Sequence, residues 1–228
     1  MEQLGPFKRA GWLVLGLLFQ KPCLACEQRV ADPREAGLCP ACWKSLEAWP
    51  LPAVEPHLGE APDFEPLAAF AYEGWLRELV HAWKFDGRSA LTRPLAAQMA
   101  RRLADLGAKD HDAVIALPAS PASLRERGFD AAGDLAEGVA KHLGLPLWRP
   151  LEQTRARQKQ SGLRHQARLD NAAGLYAVPD GARLKGKRLL ILDDLLSTGA
   201  TAQAAAAALL EAGAVHVSVG VLAHAVAA

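Results

Sequence analysis

Two carboxylates stand side by side in the stretch LLILDDLLSTGAT, Leu189 to Thr201. Adjacent like charges are unfavourable unless a cation or hydroxyl-bearing group lies between them. A strand that only fills a core has no use for Asp193 and Asp194 together. Just beyond them, Ser197, Thr198, Gly199 and Thr201 make a turn of small and hydroxyl residues that opens a helix. Small residues let several backbone N–H groups converge, and a helix N-terminus adds partial positive charge. The chemistry expected of this turn is the cradling of one phosphate. No Lys follows the Gly, so it is not a Walker A loop. Carboxylates beside such a cradle accept hydrogen bonds from vicinal hydroxyls, and the stretch therefore reads as a site for a ribose 5-phosphate.

A second set of residues points to a metal. The four cysteines form CLAC (Cys23, Cys26) and CPAC (Cys39, Cys42), spaced C-x2-C-x12-C-x2-C. Each C-x2-C turn presents two thiolates to one ion, and the spacing is close to that of zinc ribbons. Four thiolates close a tetrahedral zinc shell and leave no position for substrate, so zinc here is a structural staple for a module too small to fold on its own core. Two disulfides are the alternative if the protein is secreted, and iron is a lesser one. His57 is read as solvent-exposed, because four cysteines already complete a site.

The overall charge is +1, which excludes a nucleic-acid-like positive field over the whole molecule. The charge is unevenly placed, however. From Arg149 to Arg188 ten Lys or Arg face Glu152, Asp170 and Asp180, a net of +7 that leaves −6 for the remainder. Such a run binds phosphate or nucleic acid, or is simply a solvated face. Half of the residues are hydrophobic and 22% are charged, as in an ordinary soluble globular protein. Near the N-terminus, Lys8 and Arg9 precede AGWLVLGLLF, which is similar to a short secretory apolar region. No A-x-A cleavage pattern follows, CLAC is a poor lipoprotein box, and these ten residues are too few to span a bilayer. The expectation is an amphipathic or buried helix leading into the cysteines, no stable membrane insertion, and a cytoplasmic location.

The elements that must position these residues follow from the pattern. WPLPAVEPHLGEAPDFEP, Trp49 to Pro66, holds five prolines and no hydrophobic period, so it reads as a stiff linker. The domains expected are 1–66, the four-cysteine module and linker, and 67–228, a larger domain. Within the latter, LAAFAYE, DAVIALP, LYAV, RLLILDD and VHVSVGVLA read as strands. WLRELVHAWKF, LTRPLAAQMARRLADLG, GFDAAGDLAEGVAKHLG and the alanine-rich run to Gly213 read as helices. Uninterrupted apolar strands alternating with helices predict an α/β fold with a mostly parallel sheet covered on both faces. Ligands of such sheets bind beyond the carboxyl ends of the strands, where Asp193 and Asp194 stand.

An apolar run, Asp-Asp, two apolar residues and S-T-G-A-T resembles the phosphoribosyl pyrophosphate loop of type I phosphoribosyltransferases. With CLAC…CPAC ahead of that loop, the chain resembles the ComF subfamily. HAWKFDGR is similar to its Lys-aromatic-x-Gly segment, VIALPAS with RERGF to its pyrophosphate loop and Arg-Gly-Phe motif, and TRARQKQSGLRHQARLDN to its flexible loop. Asp130 and Ala131 depart from the Asn-Gln usual after Arg-Gly-Phe, and Ser197 replaces a commoner Thr.

The resemblance implies the type I phosphoribosyltransferase fold and roles for particular residues. Asp193 and Asp194 hold the ribose hydroxyls, and Leu195, Leu196, Ser197, Thr198, Gly199, Ala200 and Thr201 form the loop around the 5-phosphate. A magnesium ion accompanies the phosphoribosyl pyrophosphate. The turn Leu117, Pro118, Ala119, Ser120 offers donors to the pyrophosphate, and Arg155, Arg157 and Lys159 on the flexible loop neutralise its charge. Lys84 and Arg125 are further candidates. Arg127 and Phe129 read equally well as packing, and His81 and His224 as structural. No general base stands out, and an oxocarbenium-like transition state can be served by positioning and electrostatics. The family association is with DNA uptake during natural transformation. Three functions therefore compete: a transferase with an unidentified acceptor, a nucleotide-sensing regulator, and a single-stranded DNA-binding component of the competence machinery. Only Trp148 and Tyr176 lie near the basic run as aromatic residues, which weakens a stacking site for DNA.

Overall fold

The computed structural model describes residues 21–30, 37–49, 51–52, 64–154, 174–179, 184–196 and 199–225. The chain divides into two compact units interleaved in sequence, Met1–Trp49 with Glu73–Leu91 and Pro50–Tyr72 with Thr92–Ala228. A single boundary at residue 66 does not describe this division. The segment Glu73–Leu91 groups with the cysteine-bearing unit, whereas the strand before it groups with the sheet.

In the first unit, β1 (Lys21–Pro22) and β2 (Arg29–Val30) pair antiparallel and carry the first cysteine pair between them. Helix α1 (Pro40–Ser45) begins at Pro40, whose missing N–H costs nothing at a helix start, and carries the second pair at its N-terminus. Helix α2 (Gly74–Phe85) buries Leu76, Leu79, Val80, Ala82 and Trp83, the helical spacing expected of an amphipathic segment. Trp75 at its start meets Trp49 edge-on, with ring centroids 5.1 Å apart.

The second unit is built on a five-stranded sheet in the order β3-β9-β8-β4-β5, where β3 is Glu65–Ala71, β4 Ala113–Ala116, β5 Leu147–Trp148, β8 Arg188–Leu196 and β9 His216–His224. All four neighbouring pairs run parallel. A separate antiparallel pair, β6 (Glu152–Gln153) and β7 (Tyr176–Ala177), flanks the segment 155–173. Helices α3 (Thr92–Asp105), α4 (Pro121–Arg127), α5 (Ala131–Leu143) and α6 (Ala200–Glu211) complete the unit.

Period-two alternation sorts the strand residues onto two faces. Ala113, Ile115, Leu189, Ile191, Val217, Val219 and Val221 belong to one core with Ala202, Ala205, Ala206 and Leu209 of α6. Leu190 and Leu192 point to the other face, where Leu103 of α3 closes over Gly220 so tightly that a Cβ there would meet Leu192 Cδ2 at 2.7 Å. On the same side Gly138 of α5 lets Ala96 of α3 approach closely, to 2.6 Å from where a Cβ would stand. Both faces are thus covered, which is why these strands are continuous apolar runs rather than alternating ones. Among the described residues no helix is long and apolar enough to cross a membrane. The apolar run AGWLVLGLLF and His57 lie outside the described residues.

Candidate functional site

Strand β8 continues two residues beyond the acidic pair, because its pairing with β9 persists through Leu195↔Ala223 and Leu196↔His224. Asp193 and Asp194 are therefore held inside a paired strand, near its carboxyl end. Asp193 is partly exposed, and its Oδ1 accepts a hydrogen bond from the Asp194 N–H at 2.8 Å. Asp194 is 8% exposed. Its Oδ2 lies 3.9 Å from an Nη1 of Arg127.

Gly199, whose φ of 73° is left-handed and favours glycine, stands at the N-cap of α6. The Gln203 N–H closes the first helical turn on the Gly199 carbonyl at 2.8 Å. The N–H groups of the preceding positions, Ala200, Thr201 and Ala202, have no intrahelical acceptor, so the first turn of this helix carries the donors an anion requires. Ala200 is buried and contributes backbone only, whereas Thr201 is half-buried. Leu196 packs in the core, and its carbonyl accepts from the Ala225 N–H. Leu195 is half-buried. Ser197 and Thr198 lie outside the described residues, as do Arg155, Arg157 and Lys159.

At the end of the neighbouring strand β4, Leu117 is buried while Pro118, Ala119 and Ser120 are partly exposed. The Ser120 hydroxyl caps α4, accepting from the Ser123 N–H at 3.1 Å. Pro118 has no N–H, so the donors this turn can offer come from its other residues. Arg125 is exposed on α4. Arg127, the last residue of that helix, turns toward Asp194 because Gly128 caps the helix in the left-handed region, with φ 76°. The packing reading of Arg127 overlooked this contact; only the arginine charge beside a conspicuous Gly-Phe turn hinted at it. Asp130 caps α5 by accepting from the Gly133 N–H at 2.9 Å. Asp and Asn cap equally well, so the departure from Asn keeps the local turn. A Cβ at Gly133 would collide with that carboxylate. Lys84 lies on α2 in the other compact unit and is buried. Tyr176 and Trp148 pack on the core, which leaves them serving the fold.

The four cysteine sulfurs lie within 4.8 Å of one another, and all four are free thiols. Cys26 Sγ and Cys39 Sγ are 3.8 Å apart. Tetrahedral zinc with bonds of about 2.3 Å places its sulfurs about 3.8 Å apart, so the donor set fits zinc. Burial pushes the Cys23 thiol up, but N–H groups of Cys39, Ala25 and Cys26 pull it down to about 7. Cys42 is raised, by burial first and by the neighbouring sulfurs next. A divalent cation between the sulfurs relieves this mutual repulsion.

A family model of the phosphoribosyl transferase domain matches residues 130–227, which contain β8, the acidic pair, the turn and α6. The DNA utilization protein YhgH of Escherichia coli K12 is 27% identical over 210 residues, spanning 86% of this chain and 87% of that protein. The competence protein ComFC of Bacillus subtilis is 24% identical over 213 residues, covering 89% and 84%. These matches support the resemblance to the ComF family and its phosphoribosyltransferase-like domain. The competence protein ComFC of Streptococcus pneumoniae is 27% identical over 176 residues, covering 77% of this chain and 76% of that protein. The glutamine phosphoribosylpyrophosphate amidotransferase from B. subtilis superposes with a TM-score of 0.39 at 24% identity; the match covers 56% of this chain and 26% of that enzyme.

Proposed function

We propose that this protein is a member of the ComF family that binds phosphoribosyl pyrophosphate with magnesium at the carboxyl end of β8, and transfers ribose 5-phosphate to an acceptor. The observation that carries the reading is the continuity of Asp193 and Asp194 in β8 with a left-handed Gly199 and the N-terminus of α6. Asp193 and Asp194 would accept hydrogen bonds from the ribose hydroxyls. The first-turn N–H groups of α6, with the Thr201 hydroxyl, would hold the 5-phosphate. The turn Leu117–Ser120 would supply donors to the pyrophosphate. Arg125 and the loop cations Arg155, Arg157 and Lys159 would stabilise the charge that grows as the pyrophosphate leaves. Magnesium, when bound, would neutralise phosphate charge and orient the ligand, keeping most of its waters and few protein ligands. Transfer breaks the bond from the anomeric carbon to the pyrophosphate oxygen, which keeps the electron pair, and an acceptor lone pair forms the new bond.

The relatives' names place those proteins in DNA utilization and competence, and we assign this protein to the same biology, acting in the cytoplasm. Zinc held by Cys23, Cys26, Cys39 and Cys42 would staple the N-terminal module. A second reading, single-stranded DNA binding through the basic run between Arg149 and Arg188, is favoured by the net +7 of that run. Calorimetry of phosphoribosyl pyrophosphate with and without Mg²⁺ tests the first reading. Replacing Asp193 and Asp194 by Asn should weaken magnesium-dependent binding at least tenfold, about 1.4 kcal/mol. Unchanged affinity would show that the acidic pair is not the ribose site. Pyrophosphate release, screened across nucleobases, amines and single-stranded DNA, then separates an enzyme from a sensor.

A further inference from the structure

The two carboxylates of the pair are oriented by different means. Asp193 is tied to its own backbone through the Asp194 N–H. Asp194, whose side chain is 11% exposed, faces the guanidinium of Arg127, itself only 20% exposed. A buried carboxylate is costly unless a cation or several donors compensate it. The 3.9 Å separation is within Coulombic range but too long for a hydrogen bond. Arg127 therefore offsets the burial of Asp194 without itself occupying a carboxylate lone pair.

From this we infer that Arg127 is a positioning residue of the sugar-phosphate site. It holds the Asp194 carboxylate aimed, so that it can accept from a ligand hydroxyl, and it does so from a point fixed by the fold. Three features hold it there. Gly128 ends α4 in a left-handed turn. Asp130 starts α5 through its cap on Gly133. Helix α5 then packs on β4 and β8, which brings the end of α4 to the carboxyl end of β8. In this view the Arg-Gly-Phe segment belongs to the hydroxyl-binding side of the site, beside its resemblance to a pyrophosphate-loop neighbour. The inference rests on the ligand reading given above.

The test is calorimetry of the full chain with Mg²⁺ and phosphoribosyl pyrophosphate, and with inorganic pyrophosphate as a hydroxyl-free probe. Arg127→Gln is expected to lower affinity for phosphoribosyl pyrophosphate at least tenfold. Arg127→Lys should restore most of the loss, and pyrophosphate affinity should change less than twofold in either variant. In an Asp194→Asn background, Arg127→Gln should add little further loss, because the two residues act through one contact. Circular dichroism checks that each variant is folded; if Arg127→Gln does not fold, the lysine variant and the Asp194→Asn double variant carry the comparison. Equal affinities for wild type and Arg127→Gln, or losses that add fully in the double variant, would overturn the inference while leaving the ligand reading intact. Failure of the wild type to bind phosphoribosyl pyrophosphate would overturn the ligand reading and this inference with it.

Discussion

Replacing Ser218 by Ala should destabilise the sheet unit by about 1–3 kcal/mol, the cost of leaving a buried polar atom without its partner. Ser218 is fully buried at the amino-terminal end of the sheet, away from the acidic pair. Its hydroxyl lies 2.8 Å from His111 Nε2, 3.0 Å from His216 Nε2 and 3.4 Å from Glu65 Oε2. The partners decide the protons. His111 Nδ1 faces the Ala108 carbonyl at 3.0 Å, which can only accept, so Nδ1 carries the hydrogen. A neutral His111 ring then has a bare Nε2, which accepts from the Ser218 hydroxyl, whose hydrogen is shared with Glu65 Oε2, while His216 Nε2–H donates to Ser218 and Glu65. Alanine removes the one donor to His111. Burial holds His111 below its ordinary value of 6.5, with His216 and Arg188 adding to the effect and the Ala108 carbonyl and Glu65 opposing it. The sign follows: below 6.5 the unfolded chain binds this proton and the folded chain does not. The stability contribution present above 6.5 is thus lost as pH falls toward and through the lowered folded value. Denaturant unfolding measured from pH 7.5 to 5 should give His111→Gln a shallower pH slope than wild type, by at most about 1.4 kcal/mol per pH unit. Equal slopes, or a Ser218→Ala cost within about 0.5 kcal/mol, the range of ordinary surface changes, would refute the proton assignment.

Purified protein should contain one zinc per chain, and Cys39→Ser should lower that content and expose residues near 20–48 to proteolysis; absent metal together with absent free thiols would favour disulfides instead. Replacing Arg155, Arg157 and Lys159 with Ala should weaken phosphoribosyl pyrophosphate binding and leave single-stranded DNA binding nearly unchanged. A DNA groove would instead show lost DNA affinity and a salt slope shallower by roughly 0.7 per phosphate contact removed, measured by titration at several salt concentrations. Gly220→Ala should cost about 1–3 kcal/mol, since its Cβ would stand 2.7 Å from Leu192 Cδ2 and 2.8 Å from Leu103 Cδ1; an unchanged denaturant midpoint would mean that these leucines yield freely.

Local patterns in the chain determined a great deal here. The apolar runs at 113–116, 188–196 and 216–224 and the helical spacing at 74–85, 92–105 and 131–143 name their own elements, because burial on both faces or along one stripe needs only nearby residues. The cysteine pairs and the Asp-Asp turn before α6 are legible for the same reason: each is a short segment whose chemistry is carried by its spacing. Two-residue strands such as β5 and β6 hold no period and leave no such trace. What the tertiary structure alone decided is long-range. It grouped Glu73–Leu91 with the cysteine-bearing unit. It brought Arg127 to Asp194 and gathered His111, His216 and Glu65 around Ser218. Those meetings depend on the strand order β3-β9-β8-β4-β5, which joins segments far apart in the chain. A parallel sheet sets its order through helical crossovers and packing on both faces, and no window of neighbouring residues encodes that arrangement.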